Sequence, residues 1–268
     1  MLKTTKSYIN IGDHDLYYEI TGNGIAIIFA HGMGGNYLSW WQQIPYFSQN
    51  YQCITFSHQS YFPSKQISNT VDTNEFSKDL SELIDHLKLK KVILVGQSMG
   101  GWTVVKYALQ FPSQIRSIIL ASTTGPFTDL SIEDLMKDFL KTGRAEYIYR
   151  NIHPAAGKRM TDEQPALHFL FQEIDALNIH VNKDKIKSAL INSRNIPVEQ
   201  FAKLHIPTLF ISGEEDVVVN PKAIFLLAKL IPNSKFRSIP KTGHSVYFER
   251  AKLFNSFVKD FLKNEKID

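Results

Sequence analysis

A single cysteine in 268 residues leaves no partner for an internal disulfide and no Cys-rich zinc site. That residue, Cys53, lies in the apolar run Cys53-Ile54-Thr55-Phe56, where a small buried thiol is expected. No apolar run approaches the ~20 residues that a membrane-spanning helix needs. The start, Met1-Leu2-Lys3-Thr4-Thr5-Lys6-Ser7, lacks the apolar stretch of a secretion signal, so a cytoplasmic globular protein is the expectation. Charge of one sign is also scarce: 30 Lys+Arg against 26 Asp+Glu leave a net +4. The basic clusters Lys88/Lys90/Lys91 and Lys252/Lys259/Lys263/Lys266 read as solvated faces rather than a nucleic-acid footprint. No glycine-rich phosphate loop of the dinucleotide or P-loop type is present, and no repeat or low-complexity stretch. A chain of this length buries roughly three quarters of its extended surface, enough for a full core without staples.

What is there is an alternation. Tyr8–Ile11 and Leu16–Ile20 flank Gly12-Asp13 and predict an opening hairpin. Short apolar runs follow at Ile25–Ala30, Tyr51–Phe56, Lys91–Val95, Ile115–Ala121, Thr208–Ile211 and Lys235–Ile239. Continuous runs of this length suit strands of a parallel sheet buried on both faces. Between them lie helical patterns: Asn74–Leu87, with Phe76, Leu80, Leu83, Ile84 and Leu87 on one stripe, then Met99–Phe111, Pro221–Leu230 behind the cap residue Asn220, and Glu249–Leu262. The alternation breaks once. From about 125 to 204 only helical segments are expected: Ser131–Thr142 (capped by Ser131 with Asp134), Ala145–Ile152, Asp162–Leu177, Lys183–Ile191 and Val198–Leu204. The pattern predicts an α/β core of residues 1–124 and 205–268, interrupted by a helical cap of residues 125–204.

Chemistry concentrates at strand ends. Gly96-Gln97-Ser98-Met99-Gly100-Gly101 follows a strand and opens a helix, the context that G-x-S-x-G requires. Ser98 must take a strained backbone conformation to project its hydroxyl, and Gly96 and Gly100 lack the Cβ atoms that would collide there. The N–H of Met99, at a helix start, is then a candidate donor to a developing oxyanion. His31-Gly32-Met33-Gly34-Gly35 follows Ile25–Ala30 and offers the N–H of Met33 as the second donor. His31 itself is read as holding that loop by hydrogen bonds. A serine nucleophile needs a base and an orienting acid. Thr242-Gly243-His244-Ser245 and Ser212-Gly213-Glu214-Glu215-Asp216 each follow a strand, giving the order Ser98…Asp216…His244. Glu214 and Glu215 read as solvated turn residues, and Asp129 remains a second carboxylate within conceivable reach of a histidine.

These motifs resemble the α/β-hydrolase fold superfamily over about residues 7–262: His31-Gly-Met-Gly-Gly, Gly96-Gln-Ser98-Met-Gly-Gly, Gly213-Glu-Glu-Asp216 with Pro221, and Gly243-His244 with Glu249. Ser-Met-Gly-Gly-Trp at 98–102 looks most like small esterases, lactonases and cofactor-free haloperoxidase-type members. The resemblance implies an eight-stranded, mostly parallel sheet with a helical cap over the site. It implies no metal and no organic cofactor. One departure stands out: where the family usually carries Asp-x-Arg-Gly-x-Gly-x-Ser, this chain has Ser57-His58-Gln59-Ser60-Tyr61-Phe62-Pro63-Ser64. In the family that loop lies near the pocket mouth and braces it with arginine.

The expected activity is hydrolysis of a carboxylic ester or related small acyl compound. Trp40 and Trp41 after the oxyanion loop, Trp102 after the elbow, and Phe127, Phe169, Phe171 and Tyr247 are candidates to line an apolar pocket. Lactonase, perhydrolase and carbon–carbon hydrolase chemistry use the same triad and stay open. The last is disfavoured because 125–204 offers Arg144, Arg150, Arg159 and Arg194 but no Trp. A ligand receptor with the same pocket, supported by the altered 57–64 loop, is the reading from another class. The sequence does not give the oligomeric state.

Overall fold

The computed structural model describes residues 3–66, 72–139, 145–150 and 152–267. Its sheet has eight main strands: β1 (Thr4–Ile11), β2 (His14–Thr21), β3 (Ile25–Ala30), β4 (Tyr51–Phe56), β5 (Val92–Gln97), β6 (Ile115–Ala121), β7 (Thr208–Gly213) and β8 (Ser234–Ile239). They lie in the order β1-β2-β4-β3-β5-β6-β7-β8, with the two-residue strand Lys65–Gln66 beside β2. The hairpin β1–β2 and the β2–β4 pair are antiparallel, and every other main pairing is parallel. The fold is thus the expected mostly parallel α/β architecture, with a hairpin longer than the sequence pattern suggested. Its turn passes through Gly12 at φ +68°, where glycine carries no Cβ penalty.

Successive strand residues feed opposite faces, as the period of two dictates. Ile28, Ile54, Leu94, Ile118 and Phe210 pack on one side; Ile27, Cys53, Ile93, Ile119 and Leu209 pack on the other. The first face is covered by α1 (Glu75–His86), α2 (Met99–Gln110) and, later in the chain, Pro221–Leu230. The stripe Phe76, Leu80, Leu83 and Ile84 of α1 is fully buried, as its spacing requires. The second face takes the C-terminal helix Ala251–Asn264 and the single-turn helices Ile44–Phe47 and Val246–Glu249. Burial pushes the Cys53 thiol up to about 12, as suits a packing residue.

Between β6 and β7 the described residues form α3 (Leu130–Phe139), α4 (Ala145–Tyr149), α5 (Lys158–Glu163), α6 (Pro165–Ala176), α7 (Lys183–Asn192) and α8 (Val198–Ala202). The expected helices at 131–142 and 145–152 run into residues 140–142 and 151, which lie outside the described residues, as does Arg144. Three details correct the sequence reading. Asp129, not Ser131 with Asp134, caps α3, its Oδ1 accepting from the N–H groups of Ser131 and Ile132 at 3.0 and 3.1 Å; among the described residues no hydrogen bond or ion pair joins it to a histidine. The single helix expected over 162–177 is two, because Pro165 cannot continue α5 and Gln164 turns out of the helix at φ −139°, ψ 59°. A short strand pair, Phe127–Thr128 with Ile196–Pro197, ties the two ends of this stretch together where no strand was expected. The helices α9 (Pro221–Leu230) and α10 (Ala251–Asn264) complete the chain. Asn220 caps α9 as expected, accepting from Lys222 N at 3.0 Å. Among the described residues, no helix is long and apolar enough to cross a membrane.

Candidate active site

Parallel strands aim their C-terminal ends at one edge of the sheet, and all four motif loops leave from that edge. β5 leads into Ser98, which has φ +50° and ψ −113°, a conformation that strains any residue with a Cβ. The turn is held by Ser98 N donating to Ala121 O of β6 at 3.0 Å and by Thr123 Oγ1 donating to Ser98 O at 2.9 Å. The glycines around it are required by closeness of approach. A Cβ on Gly96 would meet Gly100 O at 2.6 Å, and one on Gly100 would meet Ala30 O at 2.1 Å. Ser98 is the one partly exposed residue in an otherwise buried stretch from Val92 to Gly100.

β7 leads to Asp216 and β8 to His244. Both are buried, and His244 Nδ1 lies 2.8 Å from Asp216 Oδ2. Asp216 Oδ1 accepts from the N–H groups of Val218 and Val219 at 2.7 and 3.0 Å, so the carboxylate is fixed from both sides. Glu214 and Glu215 do not take this place; Glu215 instead pairs with Arg159 of α5 at 2.7 Å. Ser98 and His244 line the same cavity of about 600 Å³, within the range of small-molecule sites. No hydrogen bond joins them among the described residues. Met33 lines this cavity too. Met99 is buried as the first residue of α2, where its N–H has no intrahelical acceptor.

The aromatic residues divide. Of the aromatic residues named from the sequence, Trp102, Phe171 and Tyr247 line the cavity. Trp40 does not: it is fully buried in the core, 4.3 Å from the Tyr247 ring and 5.1 Å from that of Phe29. Phe127 does not either, being packed against Phe201 at 5.3 Å where the short strand pair closes. Phe169 points to solvent, since two positions along α6 from Phe171 is nearly the opposite helix face. Trp41 is half exposed and outside the cavity.

His31 holds its loop, as read from the sequence, and it does so through a chain the sequence did not disclose. His31 Nε2 accepts from the backbone N–H of His58 at 3.0 Å, so its proton sits on Nδ1 and is donated to Gly32 O at 2.8 Å. His58 Nδ1 faces the same Nε2 at 3.0 Å and therefore carries its own proton, leaving Nε2 to accept from Thr103 Oγ1 at 2.9 Å. The chain runs Thr103 → His58 → His31 → Gly32, from the helix behind Ser98 to the loop of Met33. Burial drives both rings neutral, lowering His31 to about 4 and His58 well below its usual range. None of residues 57–64 lines the cavity; the altered loop meets the site from behind, through His58 and His31. The signal was available as the departure at His58, but its partner Thr103 was invisible in sequence.

Two further residues were missed in their roles. Glu249 is buried, and its oxygens accept from Gly157 N at 3.1 Å and Gly243 N at 3.0 Å, joining the crossover segment to the His244 loop. Asn178, at the end of α6, donates to Gly35 O at 3.2 Å and accepts from Phe62 N at 3.1 Å, while Asn36 Nδ2 donates to Ile174 O at 3.1 Å. These bonds latch α6 onto the His31–Gly35 loop. His153 also lines the cavity, its Nδ1 accepting from Ala155 N at 3.1 Å.

Known proteins are similar to this chain in sequence and in fold. A 2-hydroxy-6-oxononadienedioate/2-hydroxy-6-oxononatrienedioate hydrolase of Comamonas testosteroni is 25% identical, the match covering 97% of each chain. A thermophilic esterase from Thermogutta terrifontis superposes with a TM-score of 0.78 at 20% identity, over 97% of this chain and 99% of that one. The enol-lactonase from Burkholderia xenovorans LB400 superposes with a TM-score of 0.75 at 21% identity, over 96% and 100%. The family model describing the alpha/beta hydrolase fold matches residues 25–251. The chain belongs to the alpha/beta hydrolase fold family.

Proposed function

We propose that the protein is a serine hydrolase of carboxylic esters or closely related acyl compounds, with Ser98 as nucleophile, His244 as base and Asp216 as its orienting acid. The observation that carries this reading is the buried His244–Asp216 contact of 2.8 Å opening onto the cavity that the strained Ser98 also lines. In the reaction, the Ser98 hydroxyl proton passes to His244 Nε2 as Oγ bonds to the acyl carbon, and the N–H groups of Met33 and Met99 receive the oxyanion. His244 returns the proton to the departing alcohol oxygen. Water then gives its proton to His244 as its oxygen bonds to the acyl carbon, and His244 passes that proton to Ser98 Oγ as the acyl–serine bond breaks and the acid leaves. Asp216 fixes the ring and offsets its transient charge. Residues 125–204 serve as the cap over this cavity, latched by Asn178 and Glu249, and residues 1–124 with 205–268 form the core. Trp102 and Tyr247 bound the acyl site.

The test is labelling by a fluorophosphonate together with turnover of p-nitrophenyl esters. Ser98→Ala should abolish labelling and lower ester kcat/KM at least about a thousandfold. Retention of most activity by Ser98→Ala would overturn the assignment.

A further inference from the structure

The cavity is charged as well as aromatic. Four cationic side chains line it, Lys137, Lys183, Lys187 and Arg194, against the single carboxylate of Glu133. Two of the four are compensated: Lys137 lies 3.5 Å from Asp134 and Lys183 lies 2.6 Å from Asp175. Lys187 and Arg194 have no ion-pair partner among the described residues. Lys183, Lys187, Leu190, Ile191 and Arg194 recur at steps of three and four, so one stripe of α7 and the residues after it faces the cavity.

Arg194 is the inner cation. Its Cζ stands 5.2 Å from the centroid of the Trp102 ring, and one Nη donates to Thr124 Oγ1 at 3.1 Å. A guanidinium has five N–H donors in a planar fork, so most of this one's capacity is unspent. Burial lowers its pKa, opposed in part by the Glu133 carboxylate on the same cavity wall, which is not in ion-pair contact with it. The other arginines recognisable in 125–204 are satisfied at the surface: Arg150 by Asp162 and Glu146, and Arg159 by Glu215.

We propose that Arg194, seated on Trp102, receives a carboxylate carried by the substrate at the end remote from the carbonyl that Ser98 attacks. The preferred substrates are then acyl compounds with a second, free carboxylate, such as half-esters of dicarboxylic acids. Trp102 stands one helical turn beyond Ser98 and Arg194 beyond its ring, which sets the anion on the order of 10 Å from the nucleophile. The reaction rests on the serine-hydrolase reading; the anion seat does not. The competing account is that Arg194 merely clamps α7 onto α2 through Trp102.

The experiment compares mono-p-nitrophenyl esters of glutaric, adipic and pimelic acids with the same compounds capped as methyl esters. The wild type should favour the free acids, and Arg194→Met should reduce the acid-to-capped ratio of kcat/KM by about 10- to 100-fold, the worth of a hydrogen-bonded charge. Arg194→Lys should retain part of the ratio, and Arg150→Met, altered at the surface, all of it. A ratio unmoved by Arg194→Met leaves only the clamp. Adipate binding to folded Ser98→Ala protein, read by thermal shift, separates the two readings. Binding that is lost on adding Arg194→Met supports the anion seat even if no ester is hydrolysed. No binding to folded Ser98→Ala protein overturns it even if esters are.

Discussion

The chain from Thr103 through His58 and His31 to Gly32 works only while both rings are neutral, and that makes it acid-labile. His31 Nε2 must keep its lone pair, because the N–H of His58 points at it from 3.0 Å. Protonating it sets two N–H groups against each other in a site with no water access. Each tenfold change in proton affinity is worth about 1.4 kcal/mol, so a ring lowered from 6.5 to about 4 resists protonation by about 3 kcal/mol. In the unfolded chain the same ring titrates at its ordinary value. Between those two pH values the unfolded state binds more protons, so folding stability falls as pH drops from about 6.5 to about 4. His58 adds to this in the same direction. The perturbation is His58→Phe with Thr103→Val. The Phe ring suits neighbours that are already aromatic, with Phe56 at 4.9 Å and Phe76 at 4.8 Å, and residue 58 keeps its N–H to His31. Replacing both partners together should leave stability near pH 7 little changed, whereas His58→Phe alone strands the Thr103 hydroxyl and should cost about 1–3 kcal/mol. Urea denaturation followed by tryptophan fluorescence from pH 4 to 7.5 measures all three proteins. The double variant should lose less stability on acidification than the wild type. Identical acid limbs, or a single variant as stable as the double, would refute the reasoning.

Other consequences are sharper in outcome. His14 is buried against Asp79 at 3.0 Å and reaches Asp13 at 2.9 Å; the Asp79 bond leads in raising its pKa to about 9. Its stabilisation is complete below about 6.5 and fades as pH rises through about 9, and His14→Ala should cost about 3–5 kcal/mol by leaving Asp79 buried without a partner. Denaturation curves at pH 6 and pH 10 test both statements. Ser98→Gly should raise the melting temperature by several degrees while removing activity, since release of the φ +50° backbone is worth about 1–3 kcal/mol. Gly100→Ala should block fluorophosphonate labelling, because its Cβ falls 2.1 Å from a backbone carbonyl that cannot give way. Glu249→Gln should lower stability by about 1–3 kcal/mol in chemical denaturation, as one of two buried N–H groups loses its acceptor.

The parts of the molecule legible in sequence are those with a local cause. Apolar runs declared the parallel strands, and Gly96 and Gly100 declared the elbow because only a collision-free backbone fits there. Asp216 and His244 were picked out by their positions after strands, and the structure places them 2.8 Å apart. What was lost is what depends on distant packing. Trp40 and Phe127 were read as pocket walls, but an aromatic ring's destination is set by which neighbours close over it, here Tyr247 and Phe201. Gln164 interrupts a stretch that looks continuously helical, because of Pro165. The roles of Thr103, Arg194 and Glu249 come from partners on other elements, His58, Trp102 and the N–H groups of Gly157 and Gly243.

β6 and β7 are neighbours in the sheet, with Ile118 paired to Thr208 across the entire crossover segment. Among the strand pairings of the described residues this one spans the longest stretch of chain, and contacts of this kind form slowly because a long loop must close before they reward it. During synthesis the elbow and the His31 loop can dock on β3, β5 and β6 while Asp216 and His244 have yet to arrive. Ser98 is thus in place before the Asp216–His244 pair, which comes when the last two strands add to the edge of a sheet already formed.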